Sequence, residues 1–288
     1  MRWYVALGFL APALGLYVLF VLYPTLRGMS YSFTDFSGVG EAKYIGLTNY
    51  QRILTDTQAI SAIRNTLVYA AIVVVVQNAL GLALAVWMGN LPRVRNFARV
   101  ALFTPSMLSF VVVAFIWSYL YSPLGGVLNA TLDLIGLGAL KRVWLGDSSV
   151  ALLAIAAVNV WMFTGQTAAI YLTNYLGISQ EIRESATLEG ANTWQRFFYI
   201  EFPLLAPATT ICVTLTLITS LRVFDLPFLL TKGGPGNATE VLGLAIFQAA
   251  FTNQQFGYGA ALAVVLTVFV IMVTVLQSTV LRKRESNL

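Results

Sequence analysis

Residues 178–207 read ISQEIRESATLEGANTWQRFFYIEFPLLAP, a charged, helix-patterned interruption in an otherwise apolar half of the chain. Ser179 can accept from the free N–H groups of a first helical turn, with Glu181 and Glu184 near its positive end. The pattern predicts a helix to about Leu188, ended by Gly190 in the left-handed conformation. Asn192 then caps a second helix, with Gln195 three positions on as in a capping box. Trp194, Phe197 and Phe198 share one face of that helix. Pro203 is expected to stop it before the next apolar run. A helix–turn–helix held at both ends by apolar segments can transmit force. The alternative is a plain loop folded back on its own chain.

The chain has 288 residues, of which 58% are hydrophobic and 10% charged. Soluble domains carry roughly 25% charged residues. Long charge-free runs recur, which predicts an all-α integral membrane protein. The short alternating segments of a spanning β-barrel do not occur. No histidine and a single cysteine leave no internal disulfide, no usual zinc set and no common proton shuttle. Cys212 lies in an apolar run and reads as a small buried hydrophobe. A membrane-embedded enzyme would need clustered Asp, His, Cys or Glu. The acidic residues cluster only in 178–207, so no catalytic or metal site is expected.

Six crossings are expected, at roughly 20 residues each. They run about Trp3–Leu26, Thr66–Met88, Val100–Tyr121, Val150–Leu172, Leu204–Leu221 and Tyr258–Leu281. Pro12 and Pro24 suggest a kink and an end in the first, which reads as an uncleaved membrane helix. A short amphipathic helix is expected near Tyr50–Leu54, a half-buried one within Leu128–Leu140, and another too short to span at Val241–Phe251. Arg93, Arg95 and Arg99 follow the second crossing, and Arg2 and Arg282-Lys283-Arg284 flank the ends. This basic bias predicts both termini in the cytoplasm, with the 173–203 loop on the same side.

The segment Glu184-Ser185-Ala186-Thr187-Leu188-Glu189-Gly190-Ala191, with Trp194, Phe197, Ile200 and Pro203 beyond, resembles the signature loop of one family. These are the inner-membrane permease subunits of binding-protein-dependent ABC importers. The family pattern is E-A-A, three residues, G, about nine residues, then I-x-L-P. Here Ser185 stands in place of Ala, Phe202 in place of Leu, and Ser179 where many members have Pro. Phe224-Asp225, Leu230–Pro235, Ala238-Thr239, Ala250-Phe251 and Gly257–Ala261 are similar to the carbohydrate-type branch, that of maltose and glycerol-phosphate permeases.

The resemblance implies the type I importer fold, six transmembrane helices with a cytoplasmic coupling-helix loop. It divides the chain into residues 1–64, the first helix and external segment, and 65–288, the permease domain, with the coupling loop at about 173–203. It implies a bacterial or archaeal inner membrane, a second homologous permease, two ATP-binding subunits, an extracytoplasmic solute-binding protein and a sugar as cargo. The contact with the ATPase falls on Glu184, Ser185, Ala186, Glu189, Gly190, Ala191, Phe197 and Pro203. ATP and magnesium would be held by the partner. The chain has no G-x-x-x-x-G-K-[S/T] phosphate loop of its own, and nothing points to nucleic acid.

Polar residues inside crossings are candidates for the solute path. They are Gln77 and Asn78 in the second crossing and Asn159, Trp161 and Gln166 in the fourth. Sugars are held by hydrogen bonds and aromatic faces, which suits this set. Hydrogen bonding between helices is the competing explanation for each. The lack of mid-membrane charge argues against an ion-coupled carrier. A glycerol phosphate or polyol permease, or a secondary transporter working alone, are the alternatives.

Overall fold

A computed structural model describes residues 3–93 and 95–285. Arg2 lies outside the described residues, as do the side chains of Arg282, Lys283 and Arg284. Among the described residues, four helices are long and apolar enough to cross a membrane: Leu10–Tyr31, Thr57–Asn90, Ala151–Gly177 and Phe256–Val280. Two bent pairs pass the same test, Arg95–Met107 with Phe110–Leu120, and Thr193–Leu204 with Ala206–Leu221. Counting each bent pair as one span gives the six expected crossings. The chain forms two compact units, 1–60 with 243–268 and 61–242 with 269–288.

In the first unit, α1 (Trp3–Tyr17), a wide π turn (Val18–Leu22) and α2 (Tyr23–Tyr31) follow without a break. Pro24 therefore does not end the helix. It stands in the first turn of α2, directly after the wide turn, where its missing N–H costs no ladder bond. The amphipathic helix is α3 (Thr48–Thr55), with Asn49 and Ile53 buried. Asn49 Nδ2 donates to the carbonyls of Ser32 and Thr34, each at 2.9 Å. Asp56 then starts α4 (Thr57–Asn90) by accepting from the N–H groups of Gln58 and Ala59. The helix thus begins nine positions before the expected Thr66, because a capping carboxylate sets its start and hydropathy does not.

The second unit carries α5 (Arg95–Phe103), a 3-10 turn (Thr104–Met107), α6 (Phe110–Leu120), α7 (Val127–Leu134) and α8 (Ala151–Gly177). Next come α9 (Gln180–Leu188), α10 (Thr193–Arg196), a second π turn (Phe197–Glu201), α11 (Phe202–Leu204), α12 (Ala206–Leu221) and α13 (Asp225–Leu230). The short α14 (Leu242–Phe247) from Gly243 on, its following π turn (Gln248–Thr252) and the last span, α15 (Phe256–Glu285), as far as Val268 belong to the first unit, and the rest of α15 to the second.

The third crossing is not the continuous helix expected. It bends by 99° between Met107 and Phe110, after Pro105, and Ser109 caps α6 by accepting from Val112 N–H. Pro203 likewise does not stop the helix that begins at Thr193. The π turn Phe197–Glu201 precedes it, Pro203 occupies the first turn of α11, and the 68° bend falls at Leu205. In both π-turn cases a wider turn lies two residues before the proline, which relieves the clash a ring makes in a regular helix.

The spine of the second unit is α8, buried along much of its length. Small residues let neighbours approach it closely, as membrane packing requires. A β-carbon on Gly81 of α4 would lie 2.7 Å from Thr167 Cγ2, and one on Gly89 2.5 Å from Tyr175. One apolar cluster gathers Tyr69, Val113, Ile155, Val158, Met162 and Leu226. Another gathers Met88, Ala168, Tyr171, Leu172 and Cys212, so the cysteine is the buried apolar residue expected.

Candidate functional site

The residues between α8 and α12 form the expected helix–turn–helix. Ser179 Oγ accepts from Ile182 N–H at 3.4 Å and opens α9. Gly190 has φ +85, and the bonds Gly190 N–H to Thr187 O and Ala191 N–H to Ala186 O close the helix end. Asn192 and Gln195 exchange side-chain-to-backbone bonds of 2.9 Å each, a complete capping box for α10. These cap bonds all lie within the loop itself, so the element is pre-shaped.

Its outer surface sets apolar tips among polar side chains. Leu188 is 89% exposed, Trp194 74% and Phe198 53%, and the rings of Trp194 and Phe198 stack at 5.9 Å. Among the signature residues, Glu184, Ser185, Glu189 and Gly190 are exposed, and Ala191, Phe197 and Pro203 are half-buried. Ala186 is turned inward and buried. Glu184 accepts from Gln180 Nε2 at 2.7 Å along its own helix.

The inner side holds a charge cluster that sequence reasoning missed. Glu201 is 2% exposed. Arg183 Nε lies 3.3 Å and Arg196 Nε 3.4 Å from its Oε1, and the Tyr175 hydroxyl faces both oxygens at 3.4–3.5 Å. Arg183 also donates from Nη2 to the Tyr175 carbonyl at 2.8 Å and lies over the Tyr175 ring. Asn90, the last residue of α4, donates to the Tyr175 hydroxyl at 3.4 Å. The available signal was a lone carboxylate beside Phe202-Pro203 in an apolar run, which burial would force to find cations.

A cavity of about 390 Å³ lies among α4, α8, α12 and α13. Gln77, Asn159 and Gln166 line it, together with Thr216, Arg222 and Asp225, and Phe110, Phe163 and Phe224 supply aromatic rings. Gln77 donates to Thr167 Oγ1 at 2.9 Å and accepts from Asn159 Nδ2 at 3.4 Å. The other two path candidates do not line this cavity. Asn78 is buried in a helix contact, donating to Val74 O and accepting from the Tyr171 hydroxyl. Trp161 is 40% exposed and edges against Trp117 at 5.5 Å. A wall of amides, hydroxyls and aromatic rings with one cation and one carboxylate suits a polyhydroxylated solute. Among the described residues no group of three His, Cys, Asp or Glu could hold a metal ion.

Residues 77–286 match the family described as binding-protein-dependent transport system inner membrane component. The chain is 32% identical over 277 residues to a probable starch degradation products transport system permease protein, AmyD, of Thermoanaerobacterium thermosulfurigenes, covering 96% of this chain and 94% of that one. It is 32% identical to the multiple sugar-binding transport system permease protein MsmF of Streptococcus mutans, covering 96% and 95%. A chain of the bacterial alginate ABC transporter, solved in complex with its alginate pentasaccharide-bound periplasmic protein, has the same fold, with TM-score 0.85, 22% identity and coverage of 98% and 95%. The cap-defined helix–turn–helix, the bent spans around it and the match over residues 77–286 together place this chain in the binding-protein-dependent transport system inner membrane component family.

Proposed function

We propose that the chain is the permease subunit of an ATP-driven, binding-protein-dependent sugar importer. It forms half of the translocation pathway, and a second related permease forms the other half. Two separate ATP-binding subunits hold ATP and magnesium, and a solute-binding protein delivers the cargo from outside. Both termini and the 173–203 loop face the cytoplasm. The observation that carries this reading is the pre-shaped element between α8 and α12, apolar outside at Leu188, Trp194 and Phe198 and ionically anchored inside at Glu201. Closure of the ATPase dimer would push on that face and tilt α8 and α12, switching access to the cavity.

Sugar as cargo is supported by the relatives named for starch degradation products and multiple sugars, and by the amide and aromatic lining of the cavity. Arg222 on the cavity wall favours a second cargo class, an anionic polyol such as glycerol phosphate. The test is co-purification with the products of neighbouring reading frames, followed by ATPase activity in lipid. Maltose, raffinose, diacetylchitobiose and glycerol 3-phosphate would each be offered with the candidate binding protein. A second permease and an ATPase should come down together, with hydrolysis rising only when the binding protein is loaded. A chain that purifies alone and moves solute without ATP would overturn the reading.

A further inference from the structure

Glu201 is deeply buried, and the contacts of its carboxylate among the described residues are long. The two arginine nitrogens stand at 3.3 and 3.4 Å, and the Tyr175 hydroxyl at 3.4 and 3.5 Å. Well-aligned charge-assisted bonds run about 2.7–2.9 Å. Neither Arg183 Nε nor Arg196 Nε donates an aligned hydrogen bond. A carboxylate so buried is costly unless paired. Here it is surrounded by partners but locked to none.

The partners come from separate pieces of the chain. Arg183 is on α9, Arg196 on α10, Glu201 on the π turn leading to α11, and Tyr175 near the end of α8. Tyr175 in turn meets Asn90 of α4. Arg183 holds α9 to α8 independently, through its bond to the Tyr175 carbonyl. One buried charge therefore connects both arms of the helix–turn–helix with the ends of two spanning helices.

We propose that Glu201 is a positioning residue for energy coupling. Acting through Arg183 and Arg196, it makes the two arms move as one body with the ends of α4 and α8. This rests on the docking role proposed above. The loose geometry lets the carboxylate shift its weight between the two arginines as the element tilts, without either arm detaching.

The experiment uses the whole complex in proteoliposomes with its binding protein. The probe is whichever of radiolabelled maltose, raffinose, diacetylchitobiose and glycerol 3-phosphate the native complex takes up fastest. The reading is ATP hydrolysed per molecule taken up. Glu201→Gln keeps the shape and removes the charge. It should retain its ATPase partner and most of its hydrolysis, while the ratio of ATP to solute rises about tenfold. Glu201→Asp, which keeps the charge, should restore most of the coupling. Arg196→Gln, a quarter exposed, should uncouple in the same direction if the glutamate variant is poorly made. An unchanged ratio in Glu201→Gln and Arg196→Gln overturns the proposal, as does a proportional loss of assembly, hydrolysis and uptake. If the native complex itself takes up these solutes without ATP, the functional reading falls first and this inference with it.

Discussion

Gly165 of α8 lies directly against the backbone carbonyl of Leu102 in α5, with no room between them for a β-carbon. Gly165→Ala must therefore move backbone, where no flexible side chain can yield. The expected cost is about 1–3 kcal/mol, the usual range for overpacking. Thermal unfolding in detergent should show a lower midpoint for Gly165→Ala. Gly177→Ala, at the end of the same helix with nothing within 4 Å, should leave it unchanged.

Gly190 presents the opposite case, open space around a strained backbone. Nothing lies within 4 Å of where its β-carbon would be, but its φ is +85. Gly190→Val should cost about 1–2 kcal/mol through the left-handed conformation alone. It should also abolish ATP-driven uptake by reorienting α10. Gly190→Asn, which tolerates that conformation, should retain uptake. Normal transport in the valine variant would show that the turn does not transmit motion.

Asp56 gives the protein a pH signature. Burial opposes its charge, but the Tyr258 hydroxyl, the N–H groups of Ala59 and Gln58, and Arg52 outweigh that and hold its carboxyl below the ordinary range. A lowered folded value means its contribution is present above the unfolded pKa of about 3.9 and is lost as pH falls through the folded one. Asp56→Asn should melt below the native chain at pH 7. The gap should begin to close as pH drops below about 4, where the unfolded carboxyl protonates, and should vanish only below the lowered folded value.

Cavity residues and helix-contact residues should separate experimentally. Gln166 and Asn159 line the cavity, whereas Asn78 is consumed by Val74 and Tyr171. Gln166→Leu should lower sugar uptake about tenfold, the loss of one useful hydrogen bond, and leave the melting midpoint in place. Asn78→Leu should lower the midpoint by taking from the buried Tyr171 hydroxyl the acceptor it donates to. The reverse pattern would move the solute path away from this cavity.

The spans were legible because hydropathy alone marks them, and the two caps at Ser179 and Asn192 because each rests on neighbours three residues apart. What failed to show in the sequence depends on distance or on local repair. Pro24 and Pro203 read as helix ends, yet a π turn ahead of each lets the helix continue. The start of α4 was hidden because Asp56 and Arg64 depress hydropathy where a cap had already begun the helix. The Glu201 cluster was hidden because its cations lie 18 and 5 positions away, at Arg183 and Arg196, and Tyr175 lies on another helix. Of the solute-path candidates, sequence could place Trp161 and Asn78 in a crossing but not on the cavity side of it.

The most direct test of the central claim is site-specific photocrosslinking in the assembled complex in its native membrane. A photoreactive amino acid would replace Leu188, then Trp194, the exposed apolar tips of the two arms, with Val39, also highly exposed, as the control. Crosslinks are expected from positions 188 and 194 to a separate ATP-binding subunit, and none to it from position 39. Crosslinks from 188 and 194 only within this chain, or to the ATPase from position 39 alone, would contradict it.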